Sequence, residues 1–230
     1  MNRNSQLICA WAGPLGIALS GIGLWPIAHF FPPHLPSASA TTIAALYQQD
    51  TNMIRLGMLL LMIGAALWAP FIAAISIQLK RIEGASPVMA YTQLAAGAIG
   101  VIVLTAPVMV FTAAAFRPER APELTQLLND LGWLLLVMPF GPAAVQLLAI
   151  GLAILADTRA GPIFPRWLGF FNLWVATLFV PAGLVTFFKT GPFAWNGLFG
   201  FWIPAAVFGA WVAAMFLALL RAIGEQARQH

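Results

Sequence analysis

The chain has 230 residues, of which 61% are hydrophobic and 8% charged, with 11 Lys and Arg against 7 Asp and Glu. That composition excludes an ordinary soluble domain, and with no Lys/Arg run of five or more there is no electrostatic footprint for nucleic acid. The one cysteine, Cys9, excludes an internal disulfide and any multi-Cys metal site.

Six uncharged stretches, about 6–28, 56–79, 88–116, 131–156, 167–188 and 198–220, each reach the roughly 20 residues needed to cross a hydrocarbon core. Every Lys, Arg, Asp and Glu falls between them, as a bilayer demands. The expectation is an all-α, polytopic membrane protein forming a single integral membrane domain over residues 1–230. The first stretch mimics a secretory signal, with Arg3, an apolar run and S-A-S-A at residues 37–40. From Leu7 to Ala28, however, the run exceeds a signal core, so a retained helix is expected.

Residues 29–55 follow. His29 and His34 flank F-F-P-P, and Asp50 closes a helical stripe of Ile43, Leu46 and Tyr47. These are weak candidates for a metal or catalytic site at the outer mouth. A metal needs three or four ligands with a second shell, so no metal or cofactor is expected. The second stretch opens at Leu56 with L-G-M-L-L-L, and the fourth opens at Leu131 with L-G-W-L-L-L. Between them, Pro122–Asp130 gathers Leu124, Leu127 and Leu128 as a second short apolar stripe, expected to form a helix on the outer surface. G-A-S-P precedes the third stretch and G-P-I-F-P the fifth; within these, Leu94 and Pro107, like Leu168 and Pro181, stand 13 residues apart. The pattern predicts three tandem helical hairpins sharing one orientation, unlike inverted-repeat transporters.

Both termini then lie on one side, with seven basic residues (Arg3, Lys80, Arg81, Arg159, Arg166, Arg221, Arg228) against Glu83, Asp157 and Glu225. The other side carries four of each sign. The excess of basic residues puts both termini in the cytoplasm, N-in/C-in, of a bacterial inner (plasma) membrane. Tryptophans near stretch ends, among them Trp11, Trp25, Trp167 and Trp202, read as interfacial anchors. Pro165 starting a helix and the turn dipeptides Gly191-Pro192 and Asn196-Gly197 account for the aromatic phrases near the fifth and sixth stretches.

No stretch holds an ionisable side chain at mid-depth, which counts against proton-coupled carriers, voltage sensors and ion pumps. No H-E-x-x-H, G-x-S-x-G, Walker-type or G-x-G-x-x-G motif is present. What remains is neutral: Gln146 and Asn172 on neighbouring helices read first as amides that staple helices together. The sharper reading is that, with Gln93, Trp174 and Pro181, they form a polar spot in an aromatic cavity opened by intramembrane prolines, where they would orient a hydroxyl or carbonyl of an apolar ligand. In the sixth stretch Ala205, Gly209 and Ala213, with Ala206, Ala210 and Ala214 beside them, make a small-residue face expected to pack within the chain.

The expected function is non-enzymatic: binding or moving a neutral apolar molecule such as a lipid, isoprenoid or sterol-like compound. Expected partners are membrane lipid, such a small molecule, and a partner membrane protein or second copy through the small-residue face, with no nucleic acid. One alternative is a structural or accessory subunit of a larger membrane complex. A second is a membrane enzyme with an outer-face site of His29, His34 and Asp50.

Overall fold

A computed structural model describes residues 3–228; the C-terminal His230 lies outside them. The described residues are mostly helical, without strands, and six helical stretches are long and apolar enough to cross a membrane: Arg3–Ile27, Thr51–Glu83, Val88–Phe116, Pro122–Leu155, Arg166–Phe187 and Leu198–Arg228. The first is α1 (Arg3–Ile22) continued by a π-helical turn over Gly23–Ile27. A short helix, α2 (Ala40–Gln49), follows and is capped by the Ser39 hydroxyl, which accepts from the Thr42 amide at 3.1 Å. It buries Ile43 and Tyr47, in keeping with the stripe.

The second and fourth stretches are each broken at one place. The second is α3 (Thr51–Ala66) and α4 (Trp68–Glu83); the fourth is α6 (Pro122–Val137) and α7 (Phe140–Leu155). Pro70 and Pro142 are each the third residue after the break, where the missing N–H and the ring leave the preceding turn without its regular bond. At the break in the fourth stretch the carbonyl of Met138 is taken instead by the Phe140 amide at 2.8 Å. The shared L-G-x-L-L-L phrase thus heads two broken helices, but its glycine serves different ends. Gly57 admits the backbone of Gly23 and the Ala28 methyl, whereas Gly132 makes room for the Phe111 ring.

Pro122–Asp130 differs from expectation. No breaker separates it from Leu131, so it forms the first turns of α6 and not a helix of its own. Leu124 and Leu127 are exposed, and the buried face is Thr125, Asn129 and Trp133. The unbroken third stretch is α5 (Val88–Phe116). Charged residues of α3 and α4 cap both of its ends. The Glu83 carboxylate accepts from the amides of Met89 and Ala90 at 2.8 Å each, and the Arg55 guanidinium donates to the carbonyls of Ala115 and Phe116. The fifth stretch is α8 (Arg166–Phe179), tightening to a 3₁₀ segment at Val180–Phe187; the sixth is a π-helical turn, Leu198–Trp202, then α9 (Ile203–Arg228).

Each long helix packs on the next, and α9 closes the set by packing on α1 and α8. Two buried cores result. One centres on α4, where Trp68, Phe71, Ile72 and Ile75 meet Leu147, Ile150, Val175, Trp211 and Met215. The other centres on Phe30, which with Ile43, Tyr47, Met58, Phe111 and Trp133 fills the opposite end. They meet at the level of the helix breaks.

Candidate functional site

A cavity of about 270 Å³ lies where the two cores meet. Its walls draw on both: Trp68, Leu147 and Trp211 from one, Leu24, Leu136, Val137 and Phe201 from the other. Three prolines of the broken helices, Pro139, Pro142 and Pro204, stand on the wall, and Ala182 follows Pro181 there. Regular helices would pack past this level. The interruptions at 138–139, at Val180 and before Ile203 pull the backbones out of register, and the cavity is the space left. One side is an aromatic bank in which Trp211 stacks on Phe208 (centroids 6.3 Å apart, planes at 17°) and lies 5.8 Å from Trp68. Among the described residues no lining side chain is ionisable, and the only lining amide is Gln146, 5% exposed.

Gln146 is held from behind. Its Nε2 donates to Gln93 Oε1 at 3.4 Å, and Gln93 Nε2 donates to the carbonyl of Ile72 at 3.1 Å. Gln93 is fully buried, outside the cavity wall, and links α7 through α5 to α4.

Asn172 does not join this group. Gln146 faces α5, whereas Asn172 on α8 faces α9. Its Oδ1 accepts from Trp211 Nε1 at 2.8 Å, and its Nδ2 donates to the Leu168 carbonyl and reaches Met215 Sδ at 3.7 Å. It holds Trp211 against the cavity from the rear and does not line the cavity itself. Trp174 points out of the bundle, 58% exposed. Pro181 shapes the wall without lining it. Thr105, Thr112 and Thr177 donate their hydroxyls to the carbonyl one turn earlier and do not line the cavity. The aromatic residues that do line the cavity, Trp68, Phe140, Phe179, Phe201, Phe208 and Trp211, were not distinguishable in the sequence from the other rings. Only their nearness to the prolines marked them.

The outer-mouth candidates separate. His29, whose backbone is left-handed (φ 56°), pairs with Asp50 at 3.2 Å on the surface. His34 lies elsewhere: its Nδ1 is 3.0 Å from Asn129 Oδ1, which fixes its proton on Nδ1, and Trp195 Nε1 donates to its carbonyl at 2.8 Å. Tyr47 donates to the same Asn129 oxygen at 3.3 Å. Burial holds the His34 imidazole below its ordinary range despite the Asn129 bond, and raises the Tyr47 phenol with help from the Asp130 charge. Among the described residues, no three His, Cys, Asp or Glu side chains converge as a metal site requires. At the other end Gln6, Gln78 and Gln226 form a buried cluster. Gln78 donates to Gln6 at 2.6 Å and to Gln226 at 3.3 Å, and Arg81 donates to Gln78 Oε1 at 2.6 Å. Nearby, burial pushes the Asp157 carboxyl up, but bonds from Arg159 and the Ile163 amide outweigh it and hold the group below its usual range.

Comparison with known proteins found no matching family model, no matching curated protein and no matching solved structure.

Proposed function

We propose that this multi-pass membrane protein binds, or passes along, a neutral apolar molecule of lipid, isoprenoid or sterol-like type. The reading takes six spans as three hairpins, N-in/C-in, in a bacterial inner membrane, and a non-enzymatic role. The observation that carries it is the cavity between the two cores: aromatic and aliphatic walls, no ionisable group and one amide held in place from behind. Its volume, about 270 Å³, is close to the lower bound of roughly 300 Å³ for small-molecule sites. That size suits a compact body or the head of a longer chain, with the remainder lying between helices.

Chloroform extraction and mass spectrometry of the protein purified in mild detergent tests this. Wild type retains a neutral apolar species near one per chain, and Ala143→Phe with Ala205→Phe, which fill the cavity, lose it. Identical extracts from both proteins overturn the reading.

A second reading, an accessory subunit of a larger complex, is favoured by the sixth span. Contrary to the expectation of contact within the chain, Ala206, Ala210 and Ala213 are exposed, and nothing stands within 4 Å of a Cβ built on Gly209. The neighbours α1, α4 and α8 take the opposite side of α9, leaving this one unpartnered. Co-purification with one stoichiometric membrane partner supports it, and a clean monomer from mild detergent counts against it.

A further inference from the structure

The hydrogen-bond chain behind Gln146 has a polarity, and that polarity selects the ligand. It begins at a backbone carbonyl, Ile72, which can only accept. Gln93 therefore has to present its NH₂ group there, at 3.1 Å, and its own carbonyl faces the other way. The next residue, Gln146, must offer NH₂ to that carbonyl, at 3.4 Å. The Gln146 Nε2 is lodged against Gly97 of α5, 2.7 Å from where a Cβ would stand. The orientation of both amides is thus fixed from the backbone outward, the condition for assigning an amide's oxygen and nitrogen at all.

The end of the chain is Gln146 Oε1. Among the described residues it accepts no hydrogen bond, although the side chain is 95% buried and stands on the cavity wall. The rest of the wall agrees. Trp211 Nε1 is already spent on Asn172, while the Trp68 indole N–H has no partner among the described residues. The wall prolines can only remove donors and leave carbonyls behind. The cavity therefore offers a fixed acceptor, with one indole donor on the same wall.

We infer that the ligand of this cavity is an apolar alcohol, whose hydroxyl donates to Gln146 Oε1, in preference to an ether or ester of the same skeleton. A hydroxyl gives a proton to Gln146 and still has lone pairs for an indole N–H. An ether gives none, and binding it leaves the Gln146 carbonyl buried without a donor. The inference rests on reading the cavity as a ligand site.

The test compares geraniol with geranyl methyl ether, which share a skeleton and differ in the hydroxyl hydrogen. Deuterated probes are equilibrated with the full-length protein in nanodiscs, and retention is measured by mass spectrometry against empty discs. Wild type is expected to hold geraniol about tenfold more tightly than the ether. Gln146→Leu removes the preference while keeping the ether's affinity. Gln93→Leu frees the Gln146 amide to turn over and narrows the preference from the ether side. Equal affinities on wild type, which need no variant, overturn this inference and leave the cavity a ligand site. Neither probe retained above empty discs overturns both.

Discussion

The two ends of the bundle bury polar groups in opposite ways. At the end bearing the termini, three glutamines from the first, second and sixth spans bond one another and Arg81, and none of the three titrates. At the far end, His34, Tyr47 and Asn129 share one carbonyl oxygen inside an aromatic cluster, with Phe30 stacked over Trp133 at 6.0 Å and edge-on to Phe111 at 5.0 Å. There Thr125 Oγ1 and Trp133 Nε1 are buried with no hydrogen-bond partner among the described residues. The first end is held by amides matched donor to acceptor. The second is held by rings and leaves polar groups over. The lesson is that the glutamine cluster is built to be fixed, whereas the far end depends on packing and carries an imidazole, His34, that responds to pH.

Four substitutions would break or sharpen that contrast. The largest effect is expected from Phe30→Ala, which empties the centre of the aromatic cluster and costs about 3–5 kcal/mol. Unfolding in SDS-mixed micelles should show it, with hydrogen exchange rising first around α2 and the start of α6. Gln78→Leu comes next, at about 2 kcal/mol, because two glutamines and Arg81 lose a partner at once. Its cost should not change between pH 5 and pH 8; a cost that varies would mean the terminal end is not the inert one.

The third concerns His34. Its folded imidazole sits below the ordinary value, so the unfolded chain takes up a proton first as pH falls. Stability is therefore complete above about 6.5 and declines below it, and His34→Gln should flatten that slope in the thermal midpoint. An unchanged slope would place the response elsewhere. The smallest effect is expected from Thr125→Val, which removes a buried hydroxyl without a partner and stabilises by about 0.5–1 kcal/mol. A loss of stability would mean that a bound water satisfies this hydroxyl, which would make the two ends more alike.

The spans were legible because a bilayer segregates charge so strictly that the pattern needs no tertiary information. Gln146 was legible for a similar reason: an amide in hydrocarbon must find a partner. Its partner was not, because the face a helix presents depends on its rotation. Asn172, 26 positions later on the next helix, turned to Trp211 for that reason. Pro142, Pro181 and Pro204 announced that helices would be kinked, but not that the chain around Pro181 would tighten to a 3₁₀ segment. That the interruptions line up at one level is a property of the packed bundle. The glutamine cluster escaped notice because each member sits at a span end, where polar residues are ordinary, and only contacts spanning 72 to 220 positions bring them together.

The closure of the sixth span on the first has a bearing on biosynthesis. Gln6 and Gln78 enter the membrane early, and the acceptor they share, Gln226, is translated 148 residues after Gln78. At ribosomal speeds of about 5–20 residues per second, that is a wait of roughly 7–30 seconds. Throughout it, the nascent chain holds amides at the membrane surface with their partner still unmade. A chain stalled before its last helix would present them indefinitely, and a membrane insertase or quality-control protease that samples polar groups at that surface could tell a finished molecule from an unfinished one.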